Sequence, residues 1–450
     1  MTATIFHRGA RRTTLPLALA LVLAASSAGA QEPFNLAAPV HNLSTLFTDL
    51  YGAHGLVVDS EATLPGEQPH SAHFTSSFQS DFSQFNTALV GQLVSVPLPS
   101  PASGFTYRFD PTLGVFQRTT TSFGPILAER AETIGAGRLA TGMAFQRFTY
   151  DTIEDFDLAV IPAVFTHDNA QLLGGRQDVI TTVNTISATV SQATSFVTYG
   201  VTDRFDVSLA VPIVNVNLKV VSDATIHRLG TTNELTHFFR QADGEIGTER
   251  LFTATGAASG IGDVTVRLKT TMHKSDSQGF GAGVDVRLPT GDPKNLLGSG
   301  TTGVQPFAIW SGSFRSLSPH ANVGYAWNGS SILSGDPASG TSADFPDELR
   351  YAVGTEVAMA SHVTLALDLL GRTVIDAERL QATTFHALDG VSTFPDITFR
   401  RDTFNLLSGS MGAKINLAGR VLAEVNLLFA LDGHGLRDRV TPLAGLQYTF

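Results

Sequence analysis

Several short stretches hold residue types that could do chemistry. In "GAASGIGD" (Gly256–Asp263) the glycines are spaced as in a phosphate-cradling loop. No Lys-Ser/Thr pair follows and no strand–helix–strand setting surrounds it, which sets nucleotide binding aside. "DGEIGTE" (Asp243–Glu249) and "DGHG" (Asp432–Gly435) are acidic turns without a full calcium ligand set, so they read as solvated loops. His227 and His237 lie in one long connection without metal-ligand spacing. Asp, Ser and His are all present for a hydrolytic pair, yet no local spacing singles one out. The expectation is a non-enzymatic chain with no metal and no cofactor.

A different set of charges has a pattern. Arg267, Lys269, Asp285, Arg287, Glu356, Asp368, Lys414 and Glu424 each alternate with apolar neighbours. Charges spaced this way share the polar face of β-strands and could line a lumen or a constriction that selects solutes. The competing reading is a paired cluster that fills a narrow barrel. It is favoured for Asp285 and Arg287, and less so for Arg267 and Lys269, which share a strand and a sign.

The strands that would carry these residues are long. Val264, Val266, Leu268, Thr270 and Met272 face one way, and Thr265, Arg267, Lys269 and Thr271 the other. The same period of two runs through Phe280–Leu288, Ala321–Trp327, Val421–Leu431 and Val440–Phe450. Twelve such strands are expected, near 138–150, 179–199, 204–221, 262–273, 278–289, 303–314, 319–328, 348–360, 362–376, 402–417, 419–431 and 437–450, with fourteen the alternative. In the third, the apolar phase slips from odd to even positions at Ile213–Val214, beside Pro212, which predicts a β-bulge. "EDFDLAVIPAVF" (Glu154–Phe165) is assigned to the first outer loop to keep the count even. Tight joints alternate with long ones at 222–261, 290–302, 329–347 and 377–401.

Composition and termini fit a membrane barrel. Only 15% of the 450 residues are charged, and Cys is absent, which excludes disulfides and thiolate chemistry. Three early arginines, the apolar Leu15–Ala25 and Ala28-Gly29-Ala30 predict a secretory signal over 1–30. Its removal takes three arginines and no acid, moving the net charge from −11 to −14, which argues against nucleic acid as a partner. Most strands match the 9–11 residues that cross a bilayer at a tilt. Their outer faces lack charge, and Tyr199, Tyr325, Trp327, Tyr351 and Tyr448 sit near strand ends as a girdle would. The expected fold is therefore an all-β transmembrane antiparallel barrel over 138–450. Residues 31–137 precede it as a partly helical plug or periplasmic segment. In that segment "NLSTLFTDLYG" predicts a short helix, Phe74, Phe78, Phe82, Phe85 and Leu89 recur at helical spacing, and "GFTYRFDPTLGVFQRTT" predicts a hairpin.

"SGIGDVTVRLKTTM", "VDVRLPTGD", "NLLGSGTTGVQPFAIWSG", "PHANVGYAWNG" and "PLAGLQYTF" resemble the outer-membrane transporter-like proteins of the phenol-degradation meta-pathway family, a group near the long-chain fatty-acid transporters. Gly260, Gly262, Asp263, Pro289, Thr290, Gly291 and Asp292 are the most specific positions of that likeness. They read as structural: Pro289 stops a strand, Gly291 supplies φ freedom and Asp292 bonds the turn backbone. Tyr448 and the terminal Phe450 resemble the C-terminal assembly signal of such barrels. The resemblance implies a monomer in the outer membrane of a Gram-negative envelope. Its partners would be lipid, the barrel-assembly machinery and a small, hydrophobic or aromatic solute that moves passively. A structural or adhesive barrel with a closed lumen is the alternative, ahead of a general porin or a barrel enzyme.

Overall fold

The computed structural model describes residues 42–51, 56–61, 74–76, 78, 84–95, 107–110, 115–118, 122–167, 170–172, 174–241 and 243–450. The expected signal at 1–30 and Phe82 lie outside the described residues. Period-two alternation becomes twelve antiparallel strands: β1 (Leu139–Tyr150), β2 (Val179–Thr202), β3 (Phe205–His227), β4 (Thr265–Lys274), β5 (Gln278–Arg287), β6 (Gly303–Gly312), β7 (Leu317–Asn328), β8 (Asp347–Ala360), β9 (Val363–His386), β10 (Thr393–Ala418), β11 (Val421–Ala430) and β12 (Val440–Thr449). Each pairs with its sequence neighbours, and β12 pairs with β1 from Leu443↔Gln146 to Thr449↔Ala140, which closes the barrel. Closure leaves no sheet edge within lipid, which is what permits strands to cross a bilayer. The exterior carries exposed Phe145, Val197, Leu209, Phe280, Val353, Leu367, Val425 and Leu446, while the eight charges expected to line the lumen are buried on the inner face. This is the surface of an outer-membrane barrel. Tyr448 and Phe450 meet edge to face at 4.6 Å on that exterior, and the Phe450 amide donates to the Leu139 carbonyl at 2.8 Å.

The long-loop end departs from the expected boundaries. β9 and β10 form a tall hairpin that turns only at 387–392, so most of the expected joint at 377–401 is strand. The joint at 329–347 holds its own hairpin, Ser330–Asp336 against Thr341–Asp344. The expected loop 222–261 shrinks, because β3 continues to His227 and a rim strand, Glu249–Ile261, pairs back along it. Ile161–His167, within the first outer connection, pairs with the upper part of β2.

The bulge expected in β3 is absent there. β3 pairs with β2 in unbroken register from Ala193↔Ile213 through Gln192↔Val214. The extra residue sits on the opposite strand: Ile261 pairs with Ile213, but Thr265 pairs with Ala210, so Gly262–Val264 bulge out of the ladder beside Pro212. What changes along β3 is its surroundings. Val207, Leu209, Val211 and Ile213 face lipid, and Asn215, Asn217, Lys219 and Asp223 follow on that same outer face. Above Ile213 the inner face carries Val214, Val216, Leu218 and Val220, which join a core with Leu43, Leu46, Phe47, Phe85 and Leu89, and of the apolar residues up to Lys219 none is on the outer face.

That core comes from the N-terminal segment. The predicted short helix forms as a 3₁₀ turn, Leu43–Thr45, that runs into α1 (Leu46–Asp49). Tyr51 beyond it is buried, its hydroxyl 3.0 Å from that of Ser222. Burial raises the Tyr51 phenol above its ordinary pKa. The helical run of phenylalanines is only partly helical. Phe74–Thr75 pair as strand with His167 and Thr166, the Phe78 amide donates to the Ser76 hydroxyl, and α2 spans Gln84–Val94. Phe78 is itself helical, and the bond from its amide to the Ser76 hydroxyl is that of an N-cap residue. The expected hairpin forms between Tyr107–Asp110 and Val115–Arg118.

The two halves of β3 predict different failures. Leu209→Arg places a cation in lipid at about 2–4 kcal/mol and lowers the folded, heat-modifiable fraction. Val216→Arg spares membrane insertion and instead loosens the segment before residue 122, read as faster proteolysis there. Equal effects on insertion would contradict the change of surroundings at Ile213.

Candidate functional site

The lumen is layered. At the short-turn end, residues 122–137 cross the interior as a strap that leads into β1. The carbonyl of Pro125 accepts from Lys414 Nζ at 2.6 Å, the Phe123 amide donates to Thr364, and the Ala131 amide donates to Ser311 Oγ. Ile126 and Leu127 pack with Ala366 and Leu443. Irregular backbone at membrane depth is tolerated where protein surrounds it, and these contacts provide that.

Charges fasten the strap. Arg267 and Asp285 are direct cross-strand partners and form a two-point pair at 2.7 Å for each bond. Arg267 also reaches Glu129 of the strap at 2.6 Å, and Lys269 reaches the other oxygen of Glu129 at 3.0 Å. Arg130 pairs with Glu356 at 2.5 Å and also bonds Ser122. His320 lies between Glu356, at 3.1 Å, and Asp368, at 2.7 Å. Lys414 is 3.4 Å from Glu424. All eight charged candidates from the sequence thus face the lumen and are buried. Arg267 and Lys269, read as the weaker candidates for pairing, are both paired. Arg287 pairs not with Asp285 but with Asp263 at 3.7 Å, and donates to Asn328.

Two wall glycines fit the Phe307 ring. A Cβ on Gly283 would lie 2.4 Å from it, and one on Gly324 would lie 2.9 Å from the Phe307 Cβ. The ring in turn supports the Arg267 guanidinium at 5.1 Å, a cation–π contact.

The resemblance-derived residues form a knot at the bulge. Asp263 points inward and accepts from the Gly291 amide at 3.1 Å, the Ser299 amide at 2.8 Å and the Ser299 hydroxyl at 2.6 Å. Thr290 Oγ1 donates to the Gly262 carbonyl and accepts from the Val264 amide. Asp292 bonds the Lys294 amide and the Asn295 side chain around a 3₁₀ turn, Pro293–Asn295. Pro289 is exposed just past the end of β5. The role expected of Gly291 changes. Its φ is not positive; a Cβ there would meet the Leu297 carbonyl at 2.6 Å, so close approach is what requires glycine. Leu297 of the same loop packs within reach of Gly260 and Gly262. Among the described residues the rim strand pairs only with β3, and this knotted loop, 288–302, covers the wall where β5 ends.

Between the strap below and α2 above lies a cavity of about 240 Å³. Its lining combines apolar Leu127, Phe148, Leu370, Leu406, Leu428 and Leu443 with cationic Arg287, Arg350, Arg372 and Arg437, and Leu406 is the direct cross-strand neighbour of Arg372. A smaller pocket beside α2 shares Gln92, Arg372 and Leu406 with it and extends past Asp376, Glu378 and Arg401. Another shares Val94, Thr265 and Arg287 and reaches Pro212 and Asp263 at the bulge. Sequence reasoning missed Arg350 and Arg372, although they share strand parity with Glu356 and Asp368. Glu129 and Arg130 stand in an irregular segment, where no periodicity could mark them.

The comparisons with known proteins concern the same region. Residues 164–369 match the family model described as "Putative MetA-pathway of phenol degradation". An outer membrane channel from Pseudomonas putida F1 is similar over 71% of this chain and 98% of its own, at 12% identity and a TM-score of 0.44. The Ralstonia pickettii toluene transporter is similar over 70% of this chain and 90% of its own, at 12% identity and a TM-score of 0.33. A FadL homologue of Pseudomonas aeruginosa gives 70%, 89%, 9% and 0.29 in the same order. Among curated proteins no sequence matches.

Two substitutions test the layers. Glu129→Ala leaves Lys269 without its carboxylate, and losing one partner of a buried ion pair costs about 3–5 kcal/mol. The expected outcome is a barrel that still inserts but whose strap trypsin cuts at Arg130; resistance equal to wild type would contradict the fastening role. Asp263→Ala frees loop 288–302, seen as faster hydrogen exchange at Ser299 and Gly291 than at β4.

Proposed function

We infer, for a chain that carries the phenol-degradation MetA-pathway pattern over residues 164–369, that it is a passive outer-membrane conduit for small hydrophobic or aromatic compounds, acting as a monomer and without catalysis. The observation that carries this reading is the lumen cavity with its largely apolar lining, bounded above by α2 and below by the strap. A water-filled porin would lack both stops. Solute entering beside α2 would follow the smaller pocket to Arg372 and reach the cavity. It would leave either toward the bulge at Gly262–Val264 or into the periplasm once the strap yields. Both exits need only local motion, because the strap and loop 288–302 are held by side-chain contacts rather than by the barrel ladder.

Uptake of radiolabelled toluene and phenol by cells that carry or lack the chain tests this reading, with a several-fold loss expected on deletion. Unchanged uptake would overturn it. In planar bilayers the intact chain should give no steady conductance, and a chain lacking residues 31–137 should conduct. Steady conductance from the intact chain would make it a porin.

A further inference from the structure

Resting on the solute-conduit reading, we propose that the central cavity holds a small amphipathic monocarboxylate, with Arg372 as its anion anchor. The argument begins with charge. Around the upper wall, Arg287 faces Asp263, Arg437 bonds Asp432, and Arg350 bonds Glu348 at 2.7 Å. Arg372 has no acid to itself: it shares Glu348 at 3.4 Å and donates to the Gly91 carbonyl of α2 at 2.9 Å. Among the described residues that is four guanidiniums to three carboxylates. The lower wall is balanced, since Arg267 and Lys269 meet Asp285 and Glu129. One cationic charge is therefore in excess at a buried surface, where an uncompensated ion is costly and an anion is the natural complement.

Donor capacity points the same way. The Nε groups of Arg287 and Arg437 are buried without a hydrogen-bond partner among the described residues, and both side chains line the cavity. A guanidinium has five N–H donors in a fork that fits a carboxylate. Beside it, Leu406 is the direct cross-strand neighbour of Arg372 and Leu370 lies two residues before it, and with Phe148 and Leu443 of the same lining they would take an apolar or aromatic body. The volume of about 240 Å³ falls just under the ~300–1,000 Å³ of drug-sized pockets, so the ligand is small. Glu348 competes for the same guanidinium, which gives the site a built-in opponent and a test of opposite sign.

The experiment is equilibrium dialysis of the detergent-solubilised full chain against radiolabelled benzoate and its neutral near-isostere benzyl alcohol. Wild type should bind benzoate at least tenfold more tightly. Arg372→Gln should abolish that preference and leave benzyl alcohol unchanged. Glu348→Gln should strengthen benzoate at least threefold, which decides the matter if the Arg372 variant does not fold. Benzyl alcohol bound as tightly as benzoate, or benzoate weakened by Glu348→Gln, would overturn the anion site while leaving the conduit reading intact. No binding of either probe would overturn both.

Discussion

Lipid on one side of every strand is the constraint from which the rest follows. Charge is excluded from the outer face, at about 2–4 kcal/mol for a cation at the midplane. All polar chemistry in the spanning region is thereby forced into an interior only twelve strands wide. Inside, a charge is costly unless it meets an opposite one. Arg267 does so twice, with Asp285 on the adjacent strand and Glu129 on the strap. The strap's position across the lower lumen and the cavity above it are consequences of that pairing.

The layering also separates two kinds of packing. Below the cavity the strap is held mainly by ion pairs and hydrogen bonds to the wall. Above it the N-terminal segment is held by apolar contact, with Phe47, Phe85 and Leu89 against Val214, Val216 and Val220. Ionic fastenings are directional and can be undone one at a time, whereas an apolar core yields as a unit. An interior built this way can yield at its base without losing the apolar core above.

Much of the barrel was legible in the sequence because alternation with a lipid-facing side is a strong, local signal. Twelve strands, their tight turns and the inward direction of all eight charges follow from parity alone. The partners of those charges do not. Asp285 faces Arg267 only once the register of β4 and β5 is known, and Glu129 belongs to a segment with no period at all. The rim strand was hidden because Thr, Gly, Ala and Ser dominate Glu249–Ile261, leaving no apolar face to detect. The slip at Ile213–Val214 was a true signal with another cause: the strand is regular, and its surroundings change.

That change makes β3 a ruler. Phe205 to Ile213 spans nine residues, about 30 Å of strand, or roughly 23 Å along the barrel axis at a tilt of ~40°. The apolar band of outer-membrane barrels is ~25 Å tall. The height at which apolar residues cross from the outer to the inner face therefore marks where hydrocarbon ends and headgroups begin. Asn215 and Lys219 sit on the outer face beyond that line. The hydropathy of this single strand thus records the thickness of the membrane the chain is built for.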